Sequence, residues 1–383
     1  MPLPSPMNTQ ATQPVFPHAM LEEIYAQPES MRQTIEHNVK GDLIFPGAFA
    51  PIENALFAFT KIIIAASGSS RHAGLAGEII LEDLAGIAVD VEYASEYCYR
   101  STHAGADPIV LVITQSGETA DTIAAQREAL NRGAKTIAIS NVAESTIVRE
   151  ASAALHTYAG PERAVPATKS FTAQLTMLYL LALVLARKRG RMTSQVSRTR
   201  LNSLAETPAG IERSLALWDE LAAASARNHQ DDKGFLFLGR GVHYAMAREG
   251  ALKLKEISHV HAEGLPCGEL RHGSNALVDE NLTVVVLATH DRTDPDSMLR
   301  YEKTIAVLEY VKSRGGKAIA VATEGDRRIR ALTEQMIPIP AAPELITPLL
   351  EVIPLQLFAY HFGVLNGCDV DQPRNLVKAV VME

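Results

Sequence analysis

Residues 61–73, KIIIAASGSSRHA, decide the fold. The segment opens with a short, apolar, β-branched run at 61–66, which is typical of a fully buried strand. Four small residues follow at 67–70, and helical spacing then runs from 71 to 84. A buried strand, a small-residue loop and a helix form the first unit of a parallel α/β sheet. The segment therefore predicts a doubly wound α/β domain.

The same order of elements recurs in the second half of the chain. Three segments match in register: KIIIAASGSSRHA with FLFLGRGVHYA, IVLVITQSGET with VVVLATHDRTD, and AKTIAIS with GKAIAVA, at a spacing of about 175 residues. A repeat of this length indicates a duplicated domain rather than a short-period array. We therefore expect an α/β protein with two tandem doubly wound parallel-sheet domains, flavodoxin-like or Rossmann-like, related by internal duplication.

The remaining segments complete the predicted organisation. The proline-rich start predicts disorder, and the polar helical stretch after 190 interrupts the β pattern. The helices at 20–37 have few apolar positions, so we expect them to pack on the main body or on a partner. The predicted parts are a disordered tail at 1–18, a helical segment at 19–44, the first α/β domain at 45–190, a helical linker at 191–228, the second α/β domain at 229–366 and a C-terminal active-site tail at 367–383.

Charge and cysteine content exclude several functions. The net charge is −8 without a basic block, which argues against a nucleic-acid surface. Three scattered cysteines, Cys98, Cys267 and Cys368, fit a reducing cytoplasm better than a disulfide scaffold. No signal peptide is evident, and the apolar run at 175–186 is too short to span a bilayer. We expect a cytoplasmic protein with a buried core helix there and with no membrane or nucleic-acid partner.

Two loops of the first copy suit a phosphate group. Ligands of open α/β sheets bind at the carboxyl ends of strands, and helix N-termini there attract anions. Either loop alone is better explained as ordinary helix capping, but two such loops at neighbouring strand ends favour a phosphate cradle. In the second copy Asp291 and Asp294 would repel a phosphate, so we expect one cradle per chain. The candidate residues are Ser67, Gly68, Ser69, Ser70, Thr114, Gln115, Ser116 and Thr119.

A second group of polar residues lies at 245–272, AMAREGALKLKEISHVHAEGLPCGELRH. Lys253 and Glu256 are three residues apart and therefore share one helical face. From the residues alone, a solvated ion pair is the favoured interpretation of Lys253 and Glu256, and a solvated side chain is the favoured interpretation of Lys378. His272 could equally be a loop histidine with no task. This segment has no second carboxylate or cysteine cluster that would complete a metal site, so we expect no metal and no cofactor. The side chains considered for such a site are His259, His261, Glu263 and His272.

Four segments together resemble a known family. TQSGETADT, the SGSS loop, EGALKLKEISHVHAEGLPCGELRHG and DVDQPRNLVKAVVME closely resemble the isomerase half of glucosamine-6-phosphate synthases, the glutamine–fructose-6-phosphate aminotransferases. That half consists of two tandem sugar isomerase (SIS) domains. The resemblance extends from about residue 22 to the end of the chain and rests on long, specific motifs. It implies a sugar-phosphate enzyme with the tandem fold expected above.

The resemblance assigns roles to four residues. Glu256 would move a proton between C1 and C2 of the sugar, and Lys253 would assist at the hydroxyls. His272 would open the sugar ring from the other subunit of a homodimer, and Lys378 would form a Schiff base with the ketose carbonyl. These roles suit a carboxylate base, a near-neutral histidine and an amine nucleophile. The resemblance also implies that Ser69, Ser70, Thr114, Gln115, Ser116 and Thr119 hold the phosphate, and that Ser67, Gly68, Val165, Ala167 and Ala379 contact the substrate.

Departures from the family leave three functions open. The chain starts Met-Pro and shows no glutaminase cysteine, so we expect no glutaminase activity in it. Ser67, Thr114 and Ala167 replace a cysteine, a serine and a serine of the family, so the resemblance does not determine which hexose binds. The first hypothesis is an enzyme that interconverts glucosamine 6-phosphate with fructose 6-phosphate and ammonia. The alternatives are an isomerase subunit fed ammonia by a separate glutaminase, and a non-catalytic sensor of sugar phosphates. The expected ligands are a hexose or amino-hexose 6-phosphate and ammonia.

Overall fold

The computed structural model describes residues 15–100 and 108–381, without the side chains of 57 and 58. Most of the predicted N-terminal tail, 1–14, lies outside the described residues. The N-terminal helices pack on the main body, where Met20, Ile24 and Met31 are fully buried. The elements of this segment are α1 (Ala19–Tyr25), α2 (Gln27–Asn38), the antiparallel pair β1 (Val39–Lys40) and β2 (Leu43–Ile44), and α3 (Ala55–Ala58).

The first copy is a five-stranded parallel sheet with helices on both faces. Its strand order is β4-β3-β5-β6-β7, and every neighbouring pair is parallel. Its elements are β3 (Lys61–Ala66), α4 (Gly68–Ala85), β4 (Ala88–Tyr93), α5 (Ala94–Tyr97), β5 (Ile109–Thr114), α6 (Ala120–Asn131), β6 (Lys135–Ser140), α7 (Thr146–Glu150), β7 (Ala153–His156) and α8 (Lys169–Lys188).

The second copy repeats this topology after the long helix α9 (Ser194–Asn228). Its strand order is β12-β11-β10-β8-β9, again with all pairs parallel. In both sheets the first strand lies between the second and the third, so the predicted doubly wound duplication is confirmed. The elements are β8 (Gly234–Gly239), α10 (Val242–Ser258), β9 (His261–Pro266), β10 (Leu282–Ala288), α11 (Pro295–Ser313), β11 (Lys317–Thr323), α12 (Arg327–Leu332), β12 (Gln335–Ile339) and α13 (Thr347–Leu365).

The two copies share one hydrophobic core. A single buried cluster joins side chains from both sheets with α4, α8, α9, α10 and α13, and separate smaller clusters cover the outer face of each sheet. The helix predicted as a linker, α9, belongs to the shared core, because Trp218 is fully buried and its indole N–H donates to the Pro338 carbonyl at 2.7 Å. Since α4 packs directly on α10, the junction between the copies is a fixed interface.

Two helices of the described chain are long and apolar enough to cross a membrane. They are Lys169–Lys188 and Glu344–Leu365, and 94% and 89% of their most apolar windows are buried inside the protein. Burial of this extent is what core helices show. The helix predicted from the apolar run at 175–186 is therefore a core helix, as expected.

The structure adds elements that the sequence pattern did not reveal. The strands β7, β9 and β12 and the helix α13 were not predicted. The helix α4 begins at Gly68, three residues before the predicted start at 71, so Ser69 and Ser70 lie in its first turn. The early start matters for the site, because these two side chains then lie beside the backbone N–H groups of a helix N-terminus.

Candidate active site

A cavity of about 290 Å³ lies where the two copies meet. Its floor is formed by the carboxyl ends of β3 and β5, the neighbouring strands at which the strand order of the first sheet reverses. One wall is α10 of the second copy, and another is the C-terminal tail at 376–380. Every predicted site residue except His272 lines this cavity: Ser67, Gly68, Ser69, Ser70, Thr114, Gln115, Ser116, Thr119, Val165, Ala167, Lys253, Glu256, Lys378 and Ala379.

The helix N-termini at the cavity lack side-chain caps. Ser67 and Thr119 occupy the N-cap positions of α4 and α6, yet neither side chain accepts a hydrogen bond from its helix. Other N-cap residues of this protein do, such as Asp294 on α11 and Asp326 on α12. Ordinary capping therefore does not explain the hydroxyl residues of these two loops. Their positions leave helix N–H groups and hydroxyls available to an anion in the cavity.

The loop after β5 is held in one shape by its own hydroxyl groups. The Thr114 and Thr119 Oγ1 atoms lie 2.9 Å apart, and the Glu118 N–H donates to Ser116 Oγ at 3.1 Å. Gly117 has a φ of +71°, and a Cβ there would lie 2.0 Å from Ser145 Oγ. Only glycine fits this position, because both its backbone conformation and its surroundings exclude a side chain.

The helix α10 brings a buried lysine and a carboxylate to the opposite wall. Lys253 is almost fully buried, and its Nζ donates to Glu256 Oε2 at 2.6 Å. Its Nζ also lies 3.6 Å from Glu249 Oε1. Burial alone would lower the pKa of Lys253, but the Glu256 and Glu249 carboxylates outweigh it and hold the pKa above its ordinary value. Lys253 is therefore a fixed cation beside Glu256.

The C-terminal tail brings Lys378 to a carboxylate that the sequence analysis missed. Lys378 Nζ donates to Glu162 Oε2 at 2.5 Å and to the Ala164 carbonyl at 2.8 Å. Glu162 is fully enclosed and also accepts from the Thr168 and Ser170 N–H groups, both at 3.0 Å. Burial would raise the pKa of Glu162, but Lys378 and these hydrogen bonds hold it below its ordinary value. Glu162 is thus an ionised acceptor next to the Lys378 amine.

Hydrogen bonds fix the tail across the cavity. The Ala120 N–H, in the first turn of α6, donates to the Val380 carbonyl at 2.9 Å. Before Lys378, the Asp371 carbonyl accepts from the Val165 N–H at 2.9 Å, and the Asp371 carboxylate accepts from two N–H groups at the start of α1. The tail is therefore tied to the start of α6 at one end and to the N-terminal helix α1 at the other.

A second missed carboxylate, Glu249, joins the two copies below the cavity. It is fully buried on α10, and its Oε1 accepts from Ser69 Oγ of the first copy at 2.8 Å. Its Oε2 lies 2.8 Å from His72 Nδ1. With Lys253 close to Oε1, Glu249 connects the α4 loop to the lysine of the opposite wall. Its position on the Lys253 and Glu256 face of a helix was the sequence signal that could have identified it.

His272 is the predicted residue that lies apart from the cavity. It ends the short 3₁₀ helix Cys267–His272, is exposed, and is not among the residues that line the cavity of its own chain. Its assignment to the site of a partner subunit stays a prediction. In the described part of the chain, no three His, Cys, Asp or Glu side chains form a group that could hold a metal ion.

The second copy has no equivalent cradle at its matching strand end. Asp294 accepts from the Asp296 and Ser297 N–H groups at the start of α11, at 2.9 and 3.3 Å. Asp291 accepts from the Thr293 backbone and hydroxyl groups. Carboxylates therefore occupy the helix N-terminus that an anion would need. The first copy supplies the hydroxyl-lined loops of the cavity, and the second copy supplies α10.

These features define a tandem, doubly wound α/β protein with a hydroxyl-lined cavity at the junction of its two copies. The SIS domain family matches residues 56–184 and 230–365. The chain therefore belongs to the SIS domain family, as a tandem pair of the kind found in the isomerase part of glutamine–fructose-6-phosphate aminotransferases. The resemblance stated from the sequence motifs is confirmed.

Individual relatives give the extent of the similarity. A glutamine–fructose-6-phosphate aminotransferase [isomerizing] of Chlorobaculum tepidum is 46% identical over 371 residues, which are 96% of this chain and 59% of the relative. The C-terminal domain of glucosamine-fructose-6-phosphate aminotransferase from Francisella tularensis is 35% identical, with a TM-score of 0.86 over 93% of this chain and 99% of that chain. A glucosamine-6-phosphate deaminase from Thermotoga maritima shares the fold, with 21% identity, a TM-score of 0.72 and coverage of 95% of this chain and 100% of that chain.

Proposed function

We propose that this protein interconverts glucosamine 6-phosphate with fructose 6-phosphate and ammonia. One observation carries the proposal: the hydroxyl-lined loops, the Lys253–Glu256 pair and the Lys378 amine all line the same cavity. A sugar phosphate that is held by its phosphate group at the loops would have its carbon chain between α10 and the C-terminal tail. The two chemical steps, proton transfer and attack on a carbonyl, then each have a suitable side chain in the same cavity.

Glu256 is the proposed base. Isomerisation moves one proton between C1 and C2, so a single carboxylate that reaches both carbons can perform it. The fixed cation of Lys253, 2.6 Å from Glu256, favours negative charge on the hydroxyl oxygens as the proton leaves carbon. In the deamination direction this transfer converts the open-chain amino aldose into the 2-imine of fructose 6-phosphate, which water hydrolyses to the ketose and ammonia.

Lys378 is the proposed nucleophile toward the ketose. Its amine would add to the C2 carbonyl, lose water and form an imine, and hydrolysis would restore both partners. Its Nζ donates to Glu162 at 2.5 Å and to the Ala164 carbonyl at 2.8 Å, and these contacts position it at the cavity. His272 would open the sugar ring from the partner subunit of a homodimer, which fits its exposed position outside the cavity of its own chain.

Amination of fructose 6-phosphate is the second candidate. It is favoured by the names of the relatives, which are glutamine–fructose-6-phosphate aminotransferases. This chain spans 59% of the length of those relatives, and within it we expect no glutaminase activity. A separate source of ammonia would then set the direction. A sensor without catalysis is disfavoured, because it would not need a buried cation beside a carboxylate.

The test is turnover by the purified protein. With glucosamine 6-phosphate, the protein should release ammonia and fructose 6-phosphate in equal amounts, and with fructose 6-phosphate and ammonium it should run in reverse. A screen of amino-sugar phosphates that differ at single hydroxyls would identify the hexose, which the replacement of a serine by Ala167 leaves open. Absence of turnover in both directions, with ligand binding intact, would support the sensor instead.

A further inference from the structure

A second cavity lies on the other side of the α4 N-terminus from the candidate active site. Its volume is about 460 Å³, compared with about 290 Å³ for the site itself. Gly68 lines both cavities, so they share a wall. The second cavity is bounded by the start of α4, the end of β4, the face of α10 that includes Arg248 and Lys255, and β9.

Two arginines meet at Tyr93, and one of them, Arg248, lines this cavity. Arg248 lines the cavity, and its guanidinium donates to the Tyr244 and Tyr93 hydroxyls at 3.0 and 3.4 Å. The Arg71 guanidinium stacks over the Tyr93 ring at 3.7 Å, and its one hydrogen-bond acceptor is the Val91 carbonyl at 3.5 Å. Among the described residues, neither guanidinium forms an ion pair with a carboxylate.

The Nε atom of Arg71 sharpens this observation. It is buried and has no hydrogen-bond acceptor in the described structure. Burial lowers the pKa of Arg71, and the nearby charge of Arg248 lowers it further. A buried charged donor without an acceptor is destabilising, and it is rare unless a ligand completes it. Arg248 therefore offers a half-buried guanidinium to an anion in the cavity, and the charge of Arg71 lies nearby against the Tyr93 ring.

The other side chains of the cavity fit a phosphorylated molecule. Lys255 adds a positive charge, and Glu263 is the one acidic residue among the described lining side chains. Guanidinium groups bind phosphate oxygens in a two-point geometry, which explains why arginine rather than lysine would be needed here. The Tyr93 and Tyr244 hydroxyls provide polar contacts for the hydroxyl groups of a sugar.

We propose that this cavity is a second binding site, for a phosphate monoester of the size of a sugar phosphate, separate from the hydroxyl-lined cradle. A ligand bound there would influence the active site through a continuous series of side-chain contacts. His72 lines the second cavity and contacts Glu249, which in turn accepts from Ser69 of the cradle and lies 3.6 Å from Lys253 Nζ. Binding in one cavity therefore changes affinity in the other, and by linkage the effect is reciprocal. The proposal concerns binding and does not depend on the reaction proposed above.

Calorimetric titration of the full chain with inorganic phosphate tests the site. The wild type should bind two phosphates per chain, and the Arg71→Met, Arg248→Met double variant should bind one. A Thr114→Val, Ser116→Ala variant of the cradle should also bind one, with the second site retained. Arg127→Met and Arg328→Met, which remove exposed arginines paired with Glu150 and Glu302, are matched controls that should still bind two.

Two further measurements distinguish a ligand site from a folding defect and from an interface between two subunits. Arg248→Lys keeps the charge but loses the two-point geometry, so it should lower the affinity for the second phosphate by about tenfold. In the wild type, the effect of phosphate on fructose 6-phosphate binding should depart from simple competition, and in the double arginine variant it should follow simple competition. One phosphate per wild-type chain overturns the proposal. So does a stoichiometry that the arginine variants leave unchanged, or a switch of oligomeric state in those variants with phosphate binding intact.

Discussion

At the scale of single residues, the candidate site is built from charges that are buried in pairs. Lys253 lies between Glu256 and Glu249, and Lys378 lies against Glu162. The sequence predicted the first pair, because a spacing of three residues places two side chains on one helical face. It did not predict Glu162, which is 216 positions from Lys378 and carries no local pattern of its own. Long-range pairs of this kind become visible only when the chain is folded.

The role of Glu256 gives the first prediction. Glu256→Gln keeps the size of the side chain and its contact with Lys253 but removes the base. We expect kcat to fall by about 10²- to 10⁴-fold with little change in KM, because the lost group acts in the proton transfer. Steady-state kinetics and exchange of the C2 proton with deuterated solvent measure this. Glu309→Gln, an exposed carboxylate on α11, is the control. Wild-type proton exchange in Glu256→Gln would refute the assignment.

A buried ion cluster in the second copy gives a pH-dependence. Burial would lower the pKa of His243, but Glu351 and Glu344 raise it to about 10 from an ordinary 6.5. His243 is therefore more readily protonated in the folded protein than in the unfolded chain. Its contribution to stability is complete below pH 6.5 and is lost as the pH rises toward 10.

Urea unfolding between pH 6.5 and 9.5 tests this prediction. The free energy of unfolding should fall with rising pH, by up to about 1.4 kcal/mol per pH unit for one proton. His243→Gln should be less stable at pH 6.5 and should lose most of this slope. A wild-type stability that stays constant over the range would mean that His243 does not hold its proton in the folded state.

At the scale of elements, the apolar strands and the edge strand β4 were predictable, and the edge strands β7, β9 and β12 were not. The runs that became β3, β5 and β10 are short, continuous and apolar, as buried parallel strands are. In contrast, β9 contains glutamate, glycine and proline, and β12 contains Pro338, which sequence patterns assign to loops. Both lie at the edge of the second sheet, where proline is tolerated. The positions of the two loops followed from the predictable strands, while the binding of phosphate by these loops stays a prediction.

The shape of the loop after β5 gives an element-scale prediction. Gly117→Ala places a methyl group within contact of Ser145 Oγ in a backbone conformation that alanine rarely adopts. We expect a loss of stability of about 1–3 kcal/mol and weaker binding of fructose 6-phosphate, because the cradle must deform. Gly133→Ala is the matched control, since Gly133 has a φ of +83° and open space around it. Thermal unfolding and substrate titration compare the two. Equal effects of both substitutions on substrate binding would contradict this view of the loop.

At the scale of the whole molecule, the two copies of the duplicated domain contribute different parts of the candidate site. Both copies have the same strand order, but only the first has uncapped helix N-termini beside the cavity, and the second supplies α10. Three matched segments predicted the duplication from the sequence. The contact of α4 with α10 and the shared core could not be predicted, because they depend on packing between residues that are far apart in the chain. The predicted domain boundaries stay predictions.

The proposed exchange of His272 between subunits predicts complementation. His272→Asn and Lys378→Arg should each be nearly inactive alone. If both are unfolded and refolded together, mixed dimers should contain one intact site, and activity should return to about a quarter of the wild-type value per site. Activity before and after co-refolding measures this, with each variant refolded alone as the control. No recovery, with mixed dimers present, would place His272 outside the partner's site.

Trapping of the imine tests the central claim most directly. The protein is incubated with fructose 6-phosphate, reduced with borohydride and digested, and the modified lysine is located by mass spectrometry. Lys378 should carry the reduced sugar phosphate, and Lys378→Arg should abolish the labelling while Lys255→Arg retains it. A label on another lysine, or no label in a wild-type protein that turns over the substrate, would contradict the account.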